Sequence, residues 1–285
     1  MAANRVPYAG PASRPDMRVP VLTYHSNNVH GNDYADNDHV ALAADLRLIH
    51  RLGLRIVPLA RVVDVLLGVA AESAVEQAVA LSFDDGSWFD WHDIQHPSCG
   101  PQRGFAGILR DFAADTGAPA HATSFVIVSP HARSVLDRTC LVGRGWWDDS
   151  WWRDAQREGL LAIESHSWDH NHHTLPSATP RSGTFRGIDS HAGADAEIRQ
   201  AADWLDARLA PHRASLFAYP YGESNDYLLQ DYLPRHMGEH RLRAAFGIEP
   251  APVERRSPRW NLPRLVCGLH WDEPAGLQRL LTQAR

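Results

Sequence analysis

The sequence predicts a single α/β domain with a mostly parallel sheet. Short apolar runs rich in β-branched residues alternate with amphipathic stretches from residue 19 onwards. No long linker rich in proline, glycine or serine divides this alternation, which favours one domain over two. With roughly seven or eight strands, the sheet is expected to close into a barrel whose chemistry lies on the loops after the strands.

The first hundred residues supply an arm, three strands and two helices. Residues 1–17 are rich in proline, alanine and arginine and are predicted to form a flexible arm, so the folded domain is expected to span residues 18–285. Helix 38–52 places Leu42, Leu46 and Ile49 on one face. Strands are predicted at residues 19–24, 55–59 and 78–83, and helices at residues 38–52 and 61–67.

The chain after residue 100 continues the alternation. Strands are predicted at residues 121–128, 160–164, 215–218, 243–246 and 262–266, and helices at residues 102–116, 147–158 and 194–209. Because active sites of such barrels follow the carboxyl ends of the strands, chemistry is expected just after Phe83, Glu164, Ala218 and Val266.

Composition excludes several classes of protein. The net charge of -6 argues against a general nucleic-acid binder, because neutralising phosphates needs a basic surface. The three cysteines are odd in number and widely separated, so they predict neither a disulfide framework nor a cysteine-rich metal site. No apolar run is long enough for a membrane span, and the first twenty residues lack an apolar signal segment. We therefore expect a cytoplasmic protein without membrane partners.

Two adjacent carboxylates, Asp84 and Asp85, end the predicted strand 78–83 and are followed by Gly86. Neighbouring acids repel each other, and this repulsion raises one pKa unless a cation or different roles separate them. A metal ion resolves the conflict if one carboxylate binds it while the other stays free as a base. Gly86 permits the tight turn that brings both to the strand end.

Two histidines, His166 and His170, follow the predicted strand 160–164. Imidazoles four residues apart converge on one ion if the segment makes a helical turn. Two histidines and one carboxylate from separate strand ends form a three-ligand catalytic metal site with an open position. His172 and His173 leave two alternatives open, a solvated histidine loop or a different ligand set.

The segments SFDDG (residues 82–86) and HSWDH (residues 166–170) resemble the first two motifs of the polysaccharide deacetylase family, also called NodB-homology domains or carbohydrate esterase family 4. The resemblance implies a distorted (β/α) barrel that removes acetyl groups from N-acetylated, or sometimes O-acetylated, sugars with a divalent metal. It also implies Asp84 as catalytic base and Asp85, His166 and His170 as metal ligands. Zinc is the expected ion, with cobalt, nickel and manganese as alternatives.

Two further segments resemble the remaining motifs of the family. YPYG (residues 219–222) implies that Tyr221 contributes its backbone N–H to an oxyanion hole, and GLH (residues 268–270) implies His270 as general acid. The family arginine two residues before the motif proline is Ala218 here, and we predict that Arg264 replaces it in orienting Asp84. The FAYPYG form (residues 217–222) and the early segment 23–25 resemble the branch that acts on exopolysaccharide glucosamine polymers. His25 itself is either a residue at the site mouth or a structural histidine.

Several alternatives stay open at the level of sequence. Non-haem iron oxygenases also use two histidines and a carboxylate, but usually on an all-β scaffold. A carbohydrate-binding domain without activity would explain Ala218, and related barrels hydrolyse carbon–nitrogen bonds of small amides. The expected partner is therefore an acetylated carbohydrate or a small amide.

Overall fold

The computed structural model describes residues 17–284. The predicted arm of residues 1–17 lies outside the described residues apart from Met17, whose side chain is buried. No helix of the described chain is both long enough and apolar enough to span a membrane.

The central sheet is parallel and has eight strands in the order β10-β9-β8-β7-β4-β2-β12, with β3 paired to β4. A parallel bridge between Phe246 and Leu262 brings the β10 edge close to the segment that leads into β12, so the sheet curls into a distorted barrel. The predicted barrel-type α/β fold is thus confirmed. The strands are β1 (Arg18–Val19), β2 (Val21–His25), β3 (Arg55–Ile56), β4 (Ala78–Asp84), β5 (Ile94–His96), β6 (Gly100–Gln102), β7 (Ala122–Val126), β8 (Leu161–Ser165), β9 (Leu216–Ala218), β10 (Ala244–Phe246), β11 (Val253–Glu254) and β12 (Leu265–Val266).

Helices surround this sheet and cover its outer face. The largest core cluster joins apolar residues of α1, α3, α5, α7 and α10 to the strands. α1 begins after Asn37, whose side-chain oxygen accepts a hydrogen bond from the His39 backbone N–H at 2.9 Å. The α-helices are α1 (Asp38–Arg51), α2 (Leu59–Leu66), α3 (Phe105–Thr116), α4 (Pro130–Cys140), α5 (Trp152–Glu158), α6 (His191–Ala194), α7 (Gln200–Leu209), α8 (Leu233–Arg235), α9 (Met237–His240) and α10 (Pro274–Gln283).

Two predicted helices differ from the observed ones. The helix expected from residue 147 begins only at Trp152, because the Asp148 carboxylate accepts hydrogen bonds from the N–H and hydroxyl groups of Ser150 and thereby favours a turn. The helix expected at residues 194–209 is interrupted by a π-helical turn, Asp195–Arg199, between α6 and α7. Helices α4 and α10 and the antiparallel β5–β6 pair were not predicted.

Candidate active site

The candidate site lies at the edge of the sheet where the parallel strands end. His25 is the last residue of β2 and pairs in register with Asp84, the last residue of β4. β8 ends at Ser165, directly before His166, and β9 ends at Ala218. Because all of these strands run in the same direction, residues distant in the chain meet at one edge.

Asp84 forms a buried ion pair with Arg264. The Nη1 and Nη2 atoms of Arg264 donate to the two carboxylate oxygens at 2.7 and 2.9 Å, and Nε donates to the Gly247 carbonyl at 3.0 Å. Burial alone would raise the pKa of Asp84, but the charge of Arg264, with a smaller contribution from the neighbouring His166, holds it well below its ordinary value. The contact predicted for Arg264 is therefore present, and it keeps Asp84 ionised.

Asp85, His166 and His170 form a compact cluster of potential metal ligands. One ligand atom from each lies within 4.8 Å of the others. The Asp85 Oδ1 atom is 3.6 Å from His166 Nε2 and 3.8 Å from His170 Nε2. The Asp84 carboxylate, paired with Arg264, lies beside the cluster, with its Oδ2 atom 3.9 Å from His166 Nε2.

Both imidazoles direct Nε2 at Asp85, and their surroundings suit a ligand role. Nδ1 of His166 lies 2.9 Å from the Ala218 carbonyl, which only accepts, so Nδ1 carries the proton and leaves the Nε2 lone pair free. Burial, together with the nearby His166, lowers the pKa of His170 to about 3. His170 is therefore neutral at physiological pH, as a metal ligand must be.

The loops that carry these residues adopt unusual backbone conformations. Among the described residues, seven other than glycine have a positive φ, and five of them lie in the loops of the site: Asp85, Ser167, His170, Asn171 and Tyr221. Gly86 also has a positive φ, and a Cβ there would lie 2.4 Å from the Val126 side chain. Such conformations persist only where the surrounding contacts impose them.

Specific contacts impose the conformation of Asp85. Its carbonyl accepts hydrogen bonds from the Ile127 N–H at 3.2 Å and from the Trp147 indole at 3.0 Å. The side-chain amide of Asn27 donates to Oδ2 at 3.1 Å, which leaves Oδ1 facing the histidines. Neither Asn27 nor Trp147 carried a recognisable sequence signal for this role.

Glu197 supports the histidine loop from the π-helical turn. Its carbonyl accepts from the Trp168 N–H at 2.8 Å, and its carboxyl Oε2 accepts from the Asp169 N–H at 3.3 Å. Burial, and after it the charge of Asp169, raises the pKa of Glu197 well above its ordinary value. π-Helical turns are frequent at functional sites, but the sequence around Glu197 predicts only an ordinary amphipathic helix.

A second buried carboxyl, Asp90, lies behind the site. It accepts hydrogen bonds from the hydroxyls of Ser26 and Ser124. Burial raises its pKa to about 7, and the charges of Asp85 and Asp84 add to this rise. Asp90, in the loop after β4, is thus hydrogen-bonded both to β7 and to the turn after β2. Because of its raised pKa, it does so without adding a full negative charge near the site.

The two histidines considered at sequence level, His25 and His270, occupy different surroundings. His25 ends β2 in register with Asp84 and is the weakest of the groups that lower the pKa of that carboxyl. Nδ1 of His270 accepts a hydrogen bond from the Val266 N–H at 2.8 Å. Burial lowers the pKa of His270, and the nearby carboxylate of Glu249 opposes this shift. Within residues 17–284, no hydrogen bond or ion pair joins His270 to Asp84 or to the ligand cluster. The role of His270 as general acid stays a prediction.

Tyr221 packs against the ligand cluster. Its ring lies 4.5 Å from that of His170, centroid to centroid. The residue is the second of a 3₁₀ turn, Pro220–Gly222, with a φ of 59°. N–H groups at the start of such a turn have no partner within it, so the Tyr221 N–H is available to a ligand.

Comparisons with known proteins report on the family and on the fold. Residues 71–234, more than half of the chain, match the family model described as polysaccharide deacetylase. No curated protein matches the sequence significantly.

Solved structures show the same fold at low sequence identity. The Streptococcus pyogenes deacetylase PplD, determined in complex with acetate, is 16% identical with a TM-score of 0.63, over 93% of this chain and 99% of that one. A de-N-acetylase from Aggregatibacter actinomycetemcomitans is 15% identical with a TM-score of 0.60, over 92% and 99% of the two chains. IcaB from Ammonifex degensii is 18% identical with a TM-score of 0.62, over 94% and 97%.

Proposed function

The chain belongs to the polysaccharide deacetylase family, and from this premise we propose that it hydrolyses the acetamido group of an N-acetylated sugar with the help of a divalent metal ion. The observation that carries the proposal is the cluster of Asp85, His166 and His170 beside an ionised Asp84. The reaction breaks the carbon–nitrogen bond and releases acetate and a free amine.

The ligand cluster fits a metal ion better than it fits a set of hydrogen bonds. Separations of 3.6 and 3.8 Å between Asp85 Oδ1 and the two Nε2 atoms are too long for hydrogen bonds. Ligand atoms about 2.1 Å from a tetrahedral zinc ion lie roughly 3.4 Å apart. Two nitrogen donors and one oxygen donor suit zinc, and also cobalt, nickel or manganese. A bound ion supplies Lewis acidity to the acetyl carbonyl and to the attacking water.

Asp84 is the proposed base that accepts the proton of the attacking water. Because its pKa is low, Asp84 is a weak base, and its contribution to catalysis depends on its position beside the attacking water more than on its proton affinity. The paired hydrogen bonds from Arg264 fix the plane of the carboxylate. Arg264 thus supplies to Asp84 the arginine contact that the family motif places at the position of Ala218. The presence of Ala218 is therefore weak support for an inactive binding domain.

Tyr221 and a histidine are proposed to complete the chemistry. The Tyr221 N–H would donate to the oxygen of the acetyl group as negative charge develops there. His270 was predicted to protonate the leaving nitrogen, but the register of β2 with β4 supports His25, which follows Tyr24 at the end of the strand beside Asp84. We propose His25 as the general acid, with His270 as the competing assignment.

The leaving group is the least constrained part of the proposal. One structural neighbour is described as a de-N-acetylase and another was determined with acetate, which supports an N-acetyl substrate for this chain. An O-acetyl sugar or a small amide would use the same residues. The parallel α/β barrel disfavours the iron oxygenase, which uses its two histidines and carboxylate on all-β scaffolds.

Acetate release is the direct test. Purified protein loaded with zinc is incubated with N-acetylglucosamine oligomers, O-acetylated sugars and small acetamides, and acetate is quantified. We expect release from the N-acetylated oligomers, and a loss of about 10² to 10⁴ in rate for Asp84→Asn. Undiminished activity in that variant would refute the assigned base, and absence of turnover on every substrate would favour the binding domain.

A further inference from the structure

A second group of metal-ligating side chains lies outside the active site. His191 begins α6, His236 lies between α8 and α9, and Glu239 is part of α9. One ligand atom from each lies within 4.8 Å of the others. The mechanism proposed above uses none of these three residues.

The Glu239 carboxylate lies between the two imidazoles. Its Oε1 atom is 2.9 Å from His236 Nδ1, and its Oε2 atom is 3.7 Å from His191 Nε2. The two rings meet edge to face with centroids 4.7 Å apart. Two imidazole nitrogens and one carboxylate, with the fourth side open to solvent, form the donor set of a three-ligand zinc site.

A buried tyrosine orients both imidazoles. The ring of Tyr232 stacks on His236 at 5.3 Å and meets the edge of His191 at 5.6 Å. Its hydroxyl donates to Asp195 at 3.3 Å, which fixes the tyrosine in turn. The imidazoles are thus held in place before any ion arrives, and this lowers the cost of binding one.

An ordinary surface ion pair accounts for only part of this arrangement. His236 and Glu239 are three residues apart in neighbouring turns, and such exposed pairs form readily without a ligand. His191 comes from a different helix, and its Nε2 atom lies too far from Glu239 for a hydrogen bond. It brings a third donor atom to the same carboxylate, which is the arrangement that a shared cation needs.

We propose that His191, His236 and Glu239 bind a divalent ion of the zinc class, with water completing the coordination. The ion would join α6 to α8 and α9. These segments cover a core cluster that contains Phe217 and Tyr219, at the start of the turn that carries Tyr221. The site is therefore structural, and an ion there would stabilise the folded chain in proportion to its concentration.

Metal counting on the untagged full chain tests the site. We expect the wild-type protein to retain about two zinc ions per chain after gel filtration at micromolar zinc, and His236→Ala, His191→Ala and Glu239→Gln to retain about one. Deacetylase activity should be unchanged in these variants. His131→Ala, which replaces an exposed histidine elsewhere on the surface, is the matched control and should keep both ions.

A second measurement separates this site from the catalytic one. In a His166→Ala background, the midpoint of thermal unfolding should still rise with zinc concentration, and His236→Ala should abolish the remaining rise. The proposal is overturned if zinc content and the zinc-dependent shift are the same with and without His191 and His236. If the wild-type protein binds zinc at this second site but releases no acetate from any substrate, the result counts against the proposed function and not against the second site.

Discussion

Replacing Arg264 tests the buried ion pair on which the proposed base depends. Arg264 is fully buried, and Asp84 is almost so. Arg264→Ala leaves a buried carboxylate without its partner, and this arrangement costs about 3–5 kcal/mol of unfolding free energy at neutral pH. The exposed pair between Arg103 and Asp111 is the matched control, and Arg103→Ala should cost less than about 1 kcal/mol.

The pH dependence gives the cost of Arg264→Ala a distinctive sign. In the wild type the pKa of Asp84 is depressed, so the pair stabilises the fold above the unfolded pKa of about 3.9 and this contribution is lost as pH falls below it. Without Arg264, burial dominates and raises that pKa, so the variant loses stability as pH rises. The difference between the two proteins should therefore be largest near pH 7 and shrink towards pH 4.

Urea unfolding followed by circular dichroism measures this difference at both pH values, with Asp84→Asn as the second arm of a double-mutant cycle. In the Asp84→Asn background the buried guanidinium is already without its carboxylate partner, so Arg264→Ala should cost less than about 1 kcal/mol or even stabilise the fold. Arg264→Lys retains the charge without the forked geometry and should lower kcat about 10²-fold through misplacement of Asp84. An equal cost of Arg264→Ala in both backgrounds, or undiminished turnover in Arg264→Lys, would refute the reasoning.

Three further perturbations test the remaining roles. His25→Gln should lower kcat by about 10² to 10⁴ and remove the alkaline limb of the pH–rate profile. His270→Gln should change kcat and the pH–rate profile much less. The reverse result would assign the role of general acid to His270. Glu197→Gln should unfold at nearly the wild-type urea concentration, because burial raises the pKa of the carboxyl well above its ordinary value and Gln keeps an oxygen acceptor for the Asp169 N–H. Glu197→Ala should cost about 1–3 kcal/mol, and equal losses in the two variants would contradict this reasoning. Dialysis against a chelator should abolish acetate release, and added zinc should restore it in the wild type but not in His166→Ala. Activity that survives complete metal removal would exclude the proposed cofactor.

Local sequence patterns predicted the strands that carry the site. The continuous apolar run 78–83 matches β4, which is buried throughout and occupies the middle of the sheet. Because parallel strands end at one edge, the positions just after this run and just before His166 were expected to meet. Even the contact between Asp84 and Arg264, 180 residues apart, followed from an expected position at the same edge.

Local patterns failed where contacts from elsewhere in the fold compete with helix propensity. The segment from residue 147 has the composition of a helix, yet the Trp147 indole is used to hold the Asp85 carbonyl and the chain turns before Trp152. The π-helical turn at Glu197 depends on backbone groups of the histidine loop, which lies about thirty residues earlier. Neither partner is visible in a local window of sequence.

The sequence by itself determined the fold class and the kinds of side chain available: adjacent carboxylates, a histidine pair and an arginine near the C-terminus. Only the tertiary structure decided which imidazole nitrogen faces Asp85, that Asp84 stays ionised while Asp90 and Glu197 hold their protons more tightly, and that His25 pairs in register with Asp84. The physical reason is that tautomer and pKa depend on burial and on neighbouring charges. Both are properties of the whole fold and not of any short stretch of chain.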